Sequence, residues 1–587
     1  MYGFHGRMLF IDLTQCEARI VPTPALAAEV FGGKGLATHL MLEHIPAGAD
    51  ALGPENRLIF AAGPFCGTRI WGGSRYGVFT KSPLTGGYCE SYSGGAAPES
   101  VDAAGYDAVI VSGTAAVPTV LRIHPEGCDF LEAEDIWGME SFAAEDAVKQ
   151  RFTLEKSEYG KPAALVIGPA GERGVRFAVI NNDYWRCAGR TGAGTVMGSK
   201  RLKAVLFQGD RKRPLADTEG VAAYSKAFAA AGKDNPGVKA YKKFGTTMMV
   251  ALMNTAGAFP TRYWEAGECE HWEKISGETY HNEHDITAHA CRKCFMACGR
   301  MATISKGRHT GLKLEGPEYE TIYVFGGLCM IDDMAEIAYL NDLCDQLGMD
   351  TITAGNLCAF AIEAVKRGKL EYDIDYGQVD AIAGLLREIA ARTGTGALLA
   401  DGIVPAAKTL GLEDLAVHVK GLEPPGYDPR ALKGMGLAYA VSCRGACHLR
   451  STFYKPELAG MIAPDAIEGK AKLFTDFEDR LTLFDTFILC RFYRDLYSWE
   501  KLIELMPYVF GQELTKDDLR RIASRVTDMT REFNLREGLG PETDTLPQKL
   551  LTEALPSGKR ITPQEIEQLV ADYYAERGWD ASGRLQY

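Results

Sequence analysis

Residues 291–299 read CRKCFMACG. Three cysteines at C-x2-C-x3-C spacing, Cys291, Cys294 and Cys298, restrict the possible folds more than any other stretch. Thiolates this close together serve a zinc ion or an iron–sulfur cluster, and both normally take four ligands. The local chain supplies only three, so tertiary structure must deliver the fourth. Cys329, Cys344, Cys443, Cys447 and Cys490 are all eligible, and spacing does not choose among them. The short spacing favours an iron–sulfur cluster over a structural zinc. The chain has 15 cysteines, an odd number scattered over its length. That pattern argues for free thiols and metal ligands in a reducing cytoplasm and against a disulfide framework.

With 587 residues the chain exceeds one ordinary core, and two to four domains are expected. Hydrophobic content of 46% and charged content of 24% fit a globular protein. A net charge of −13 makes nucleic acid and anionic membranes poor partners. No apolar run approaches the roughly 18 residues of a membrane span. The first residues, MYGFHGRMLFIDLT, carry Arg7 and Asp12 and read as a strand, not a signal peptide.

Period-2 runs such as GRMLFIDL, RLIFAAG, RYGVFTKS, YDAVIVSG, TVLRIHP and LKAVLFQG mark a β-rich region over 1–208. Glycine is dense between them, at 31–38, 71–77, 82–88, 91–98 and 188–200, which suits loops around a large phosphate-bearing ligand. Beyond the charged break at 209–220 the period becomes helical. MAEIAYLNDLCDQLG places Ile337, Leu340, Cys344 and Leu347 on one face, with Gly348 as the stop. A second helix is expected over 354–367, and a second break near the prolines of 419–430. The expected organisation is therefore α+β: an N-terminal β-rich domain at 1–208, then mainly helical domains at 209–418 and 419–587. His281, His284 and His289 precede the cysteines, but no companion ligand set accompanies them, and a polar loop is the expected structure there.

Six stretches then become informative as a set: AGRTGAGTVMGSKRLKAV (188–205), CRKCFMAC (291–298), LEGPEYET (314–321), DQLGMD (345–350), RGACHL (444–449) and DTFILC (485–490). In type and order they resemble the tungsten-containing aldehyde ferredoxin oxidoreductases, and the likeness extends over nearly the full length. The resemblance implies a tungsten (or molybdenum) bis-pterin centre, a [4Fe–4S] cluster beside it, and a β domain forming the base for the cofactor. By the same resemblance Cys490 is the fourth cluster ligand. Asp345 and Asp485 look like the two pterin-binding aspartates. Gly348 and Asp350 belong to the first motif and Leu489 to the second. Met349 replaces the first motif's usual leucine. Ile488 stands where the second motif's glycine is expected, so either that backbone has negative φ or the second pterin is shifted.

Phosphates need N–H donors and cations. The segments Ser93–Gly94–Gly95 and Arg186–Cys187–Ala188–Gly189 are expected to cradle them, and the resemblance implies that the carbonyls of Ser93 and Cys187 meet a bridging Mg2+. Arg75 and Arg186 resemble cofactor-contacting arginines, and Lys34 reads as a surface lysine. Glu320 and His448 resemble the family's acid–base pair, with Tyr319 as an auxiliary polarising group. The function implied is reversible oxidation of aldehydes to carboxylic acids. Electrons would pass to ferredoxin or a small iron–sulfur subunit, in a homodimer or larger complex. Two alternatives remain at this level: a related bis-pterin enzyme acting on an aromatic acyl-CoA, and a zinc-stabilised binding protein without catalysis.

Overall fold

The structure is a computed structural model that describes residues 1–156 and 158–586. The expected strands, joined by others that the period-2 runs did not mark, form two six-stranded sheets. The first contains β1 (Arg7–Asp12), β2 (Glu17–Pro22), β3 (Leu58–Ala62), β4 (Tyr76–Lys81), β5 (Tyr88–Ser93) and β6 (Ala108–Ser112), in the order β2-β1-β6-β3-β4-β5. The second contains β7 (Thr119–His124), β8 (Gly127–Glu132), β9 (Ala163–Val166), β10 (Ile180–Asn182), β11 (Arg186–Ala188) and β12 (Leu202–Phe207), in the order β11-β10-β9-β12-β7-β8. Each sheet has one parallel pair, β1 with β6 and β7 with β12; the other pairings are antiparallel.

β3, β4 and β12 are buried at every residue. That is why LIFAA and LKAVLF are nearly continuous apolar runs: strands covered on both faces lose the polar alternation. Side chains such as Phe60, Val109 and Val111 from the first sheet meet Leu121, Leu165 and Phe207 from the second in one core. The opposite face of the first sheet, with Ile59, Phe79 and Ile110, packs on Phe484, Phe487, Leu502 and Phe510 from the C-terminal helices. The sheets therefore form a base on which the helical part sits. Among the described residues no helix is long and apolar enough to cross a membrane.

Four local expectations change. FGGKGLAT is not a ligand loop; it enters a buried helix, Gly33–His44. A Cβ on Gly33 would lie 2.0 Å from the Thr486 carbonyl oxygen, and its φ is +41°. This glycine lets the helix touch the backbone of the 485–490 motif. Gly33→Ala is expected to destabilise the fold by about 3 kcal/mol through combined overpacking and left-handed strain, read by chemical denaturation. Lys34 is not on the surface: it is 3% exposed and pairs with Glu90 at 3.1 Å. The segment 421–430 is buried throughout, so its prolines mark packed chain and not an exposed linker.

The fourth change concerns the cysteine loop. A three-stranded sheet, β13 (Asp285–His289), β14 (Gly299–Thr303) and β15 (Lys313–Glu315), interrupts the helical region. His289 pairs with Gly299, so CRKCFMAC is the connection of a β-hairpin. β13 is short and largely exposed: DITAH alternates over only five residues, with Ile286 its one partly covered side chain, too brief a pattern to mark a strand. His281 lies on the helix Gly277–Glu283, His289 ends β13, and only His284 sits at the junction between them; His284 accepts the Ser305 N–H and His289 contacts Glu315 at 3.2 Å.

The helix Met334–Leu347 is capped by Asp333 at its start and by left-handed Gly348 at its end, as the sequence indicates. The following helix spans Thr351–Lys366. The long helix Lys470–Phe487 ends at Ile488 with φ +53° and ψ 50°. The φ at Ile488 is thus positive, and the left-handed cap persists without glycine. A β-branched residue there costs about 1–2 kcal/mol. Ile488 is 1% exposed and packs in the sheet–helix core, which offsets that cost.

Candidate active site

A cavity opens above the β base and encloses about 1170 Å3 of space between protein atoms, its mouth included. Segments distant in sequence form its wall. Arg75, Cys187, Gly189, Tyr319, Glu320, Asp350, His448, Asp485 and Leu489 line it, as expected for cofactor and catalytic residues. Ser93, Gly94, Gly95, Arg186, Ala188, Asp345 and Gly348 do not line it and stand behind or beside it.

Glu320 sits in the first turn of the short helix Tyr319–Ile322. Its Oε2 accepts the Gly426 N–H at 2.9 Å, and its Oε1 lies 3.5 Å from His448 Nε2. At that distance the contact is too long for a good hydrogen bond. Burial pushes the Glu320 carboxyl up to about 8, against the pull of the Gly426 N–H and Arg190. Burial also holds His448 well below the ordinary imidazole range, helped by Arg190, Arg444, Arg450 and Arg494. At neutral pH the pair is thus a carboxylic acid facing a neutral ring, not an ion pair. The His448 ring stacks on Tyr427 at 5.4 Å. The Tyr319 hydroxyl donates to the Gly426 carbonyl, so it braces the loop that also holds Glu320.

The cavity wall is rich in guanidinium groups. Arg75 and Arg190 come from the base, and Arg444, Arg450, Arg491 and Arg494 from the C-terminal part. Only Arg75 of these was singled out in the sequence. The signal was present in RGACHLR and CRFYR, where arginines flank both motifs. Arg190 spans the site: it contacts Asp350 at 3.3 Å and donates to the carbonyls of Ala446 and Glu423 at 2.9 and 2.7 Å. Asp485 Oδ2 accepts from Arg450 and Arg491, both at 2.6 Å. Several buried polar atoms on this wall have no partner, among them Glu320 Oε1, His448 Nδ1, Arg450 Nε and Arg494 Nε. Leaving such atoms unpaired is costly, so the wall is built for a large, polar, anionic ligand.

The first aspartate motif is arranged differently from the expectation. Asp345 is buried, accepts from Asn341 at 2.9 Å, and burial with Asp342 and Glu315 nearby holds its carboxyl well above the usual range. Gly348 is needed because a Cβ there would lie 2.8 Å from the Gly168 nitrogen; the close approach is to protein backbone, not to a ring. Asp350 caps the next helix through the Ile352 and Thr353 N–H groups. The 93–95 turn also has other commitments. The Gly95 N–H donates to Cys291 Sγ at 3.2 Å, and the Gly94 carbonyl accepts from Asn182 at 3.0 Å. β5 and β11 pack together, which brings Ser93 and Cys187 to one place.

The cysteine loop lies beside this cavity. The Tyr493 hydroxyl donates to Cys294 Sγ at 3.4 Å and accepts the Phe295 N–H at 3.1 Å. Burial raises the Cys294 thiol to about 11, and the neighbouring Cys490 adds to the rise. Cys298 is raised well above the thiol range by burial, by Glu318 and by Cys490. Cys490 therefore stands against the loop, half-buried, with its N–H donating to the Gly72 carbonyl at 2.9 Å. The other candidates are engaged elsewhere: Cys443 contacts Glu90, Cys447 receives three N–H groups, and Cys329 donates to Gly355. Cys344 is buried in the helix Met334–Leu347. Cys291, Cys294, Cys298 and Cys490 thus neighbour one another, a donor set whose chemistry suits an iron–sulfur cluster. Among the described residues no three His, Cys, Asp or Glu side chains close on one point as a single ion requires. Arg186 does not line the cavity; it pairs with Glu315 and has Cys291, Cys298 and Glu318 as further neighbours.

Comparison with known proteins agrees in extent. The family described as aldehyde ferredoxin oxidoreductase matches through its N-terminal domain at residues 8–209 and its domains 2 and 3 at residues 223–587. A tungsten-containing aldehyde ferredoxin oxidoreductase of Pyrococcus furiosus is 34% identical, covering 100% of this chain and 98% of its own. A WOR-like subunit of an aliphatic sulfonate oxidoreductase from the same organism is 29% identical over 99% of this chain and 96% of its own. Among solved structures, the active site complex BamBC of benzoyl coenzyme A reductase, in complex with 1,5-dienoyl-CoA, superposes with a TM-score of 0.84. It is 21% identical and covers 99% of this chain and 96% of its own, a likeness of fold.

Proposed function

The chain belongs to the aldehyde ferredoxin oxidoreductase family, and from that premise we propose that it oxidises aldehydes reversibly to carboxylic acids (the EC 1.2.7 type) in the reducing cytoplasm. The observation that carries this reading is the Glu320–His448 pair, 3.5 Å apart on the wall of an arginine-lined cavity beside four cysteines. A tungsten bis-pterin, when bound, would supply the two-electron redox chemistry. Arg75, Arg190, Arg444, Arg450 and Arg491 would balance its phosphates, and Asp485, on the cavity wall, would accept ring N–H groups, whereas Asp345, expected in the same role, stands behind the wall. Ser93 and Cys187 would turn carbonyls to a Mg2+ between the phosphates. Cys291, Cys294, Cys298 and Cys490 would hold the [4Fe–4S] cluster that passes electrons on to ferredoxin or an iron–sulfur subunit.

The chain's own part is proton handling. Oxidation of an aldehyde adds water oxygen and releases two protons and two electrons. Glu320, once ionised, takes a proton from water or from the aldehyde hydrate. The neutral His448 ring accepts or donates at Nε2 toward the substrate oxygen. Tyr427 stacks on the His448 ring and Tyr319 braces the Gly426 loop that holds Glu320, which fixes both groups from behind.

Elemental and pterin analysis of anaerobically purified protein from a tungsten-supplied host tests the reading. About one tungsten, four irons and two pterins per chain are expected, with aldehyde-dependent viologen reduction. Zinc without pterin would overturn it. The likeness to the benzoyl coenzyme A reductase complex supports the fold and not that substrate.

A further inference from the structure

The chain carries 77 acidic and 64 basic residues, yet the surface over the cysteine loop is basic. Arg292 and Lys293 lie inside the loop, with side chains 48% and 42% exposed. The Lys293 ammonium reaches the Gly67 carbonyl at 3.3 Å, and Arg69 is exposed two residues further on. On the other side of the loop the helix Pro236–Phe244 ends against it. Arg300 donates to the carbonyls of Lys242 and Lys243 at 2.8 and 2.7 Å, and also to the Ala297 carbonyl. A Cβ on Gly245 would lie 2.5 Å from the Cys298 carbonyl oxygen, so this helix end rests on the third cysteine. Lys242 and Lys243 are exposed there. Between the two basic sides lies a half-buried aromatic pair, Trp71 and Phe295, with ring centroids 5.1 Å apart.

Carboxylates are present but few. Glu99 pairs with Lys293 at 3.2 Å and more loosely with Arg292, Asp234 pairs with Lys239 at 3.0 Å, and Glu278 lies beyond His281. Neither Lys242 nor Lys243 has a carboxylate partner among the described ion pairs. A basic rim around an aromatic centre is the anatomy of a transient interface for an acidic partner. It is also where a partner must sit if electrons leave by the cysteine loop, since Cys291 is only half-buried.

We propose that the face formed by Arg69, Lys242, Lys243, Arg292 and Lys293 around Trp71 and Phe295 is the docking surface for an acidic one-electron iron–sulfur carrier protein. The proposal rests on the reading that the four cysteines hold the exit cluster. Each aldehyde oxidised releases two electrons and two protons. The electrons leave singly, so two oxidised carriers are reduced per turnover, and the protons go to solvent. The rim raises the encounter rate by charge steering while the small aromatic centre keeps the complex short-lived.

The test compares the holoenzyme with its Lys242→Glu/Lys243→Glu variant. Lys369→Glu/Lys408→Glu, an exposed pair away from the loop in sequence, controls for net charge. The Kd for an acidic ferredoxin is measured by titration at low and at moderate ionic strength, with no turnover needed. The loop variant is expected to bind at least about tenfold more weakly at low salt and to lose most of its salt dependence. The control variant and the rate with a small viologen dye should match wild type. Equal Kd values for wild type and the loop variant overturn the proposal, as does a wild type that does not bind the carrier. Failure of wild type to reduce viologen with aldehydes would instead overturn the enzymatic reading, so the two failures are distinguishable.

Discussion

Replacing Glu320 by Gln is expected to lower aldehyde oxidation by about 10²–10⁴-fold while leaving the tungsten, pterin and iron contents unchanged. The amide keeps the shape and the Gly426 N–H contact but cannot take a proton. The wild-type pH profile follows from the same group. A base acts only when ionised, and burial pushes this carboxyl up to about 8. kcat/KM for oxidation should therefore rise as pH increases toward 8 and level off above it. The reverse reaction, which needs the protonated acid, should fall over the same interval. In the Gln variant both limbs should disappear. A variant that keeps the wild-type profile would mean that another carboxyl does the work; Glu318, which also lines the cavity, would be the candidate.

Cys490→Ser has the second large expected effect. If Cys490 closes the cluster, its loss should reduce iron below the roughly four atoms per chain of a [4Fe–4S] centre. Electron delivery to a carrier should fall by more than about 100-fold, beyond what loss of an outer-shell partner causes. Electron paramagnetic resonance of the reduced protein reads the cluster directly. An ordinary half-buried thiol would behave otherwise: unchanged iron, an unchanged signal and a stability change of about 1 kcal/mol. The neighbour Tyr493 offers a milder comparison. Tyr493→Phe removes only the hydroxyl on Cys294 Sγ, so it should shift the cluster potential without loss of iron.

The sequence by itself determined what is local or ordered along the chain. The cysteine spacing, the apolar runs of β3 and β12, and the helix from Met334 to its left-handed stop at Gly348 follow from period and capping. The order of six motifs carried the family. Tertiary structure alone decided the rest, because the deciding contacts join residues far apart in sequence. Gly33 is a glycine because Thr486 lies against it, and Lys34 is buried because Glu90 receives it. Ile488 holds a glycine's conformation because its side chain is packed away in the core. The guanidinium wall is assembled from the base and the C-terminal part: arginines flank the motifs in RGACHLR and CRFYR, but only the fold turns them with Arg75 and Arg190 onto one cavity. Spacing left five cysteines eligible as a fourth partner and only the motif resemblance pointed to Cys490; its nearness to Cys294 and Cys298 comes from the fold, because about two hundred positions of chain lie between them.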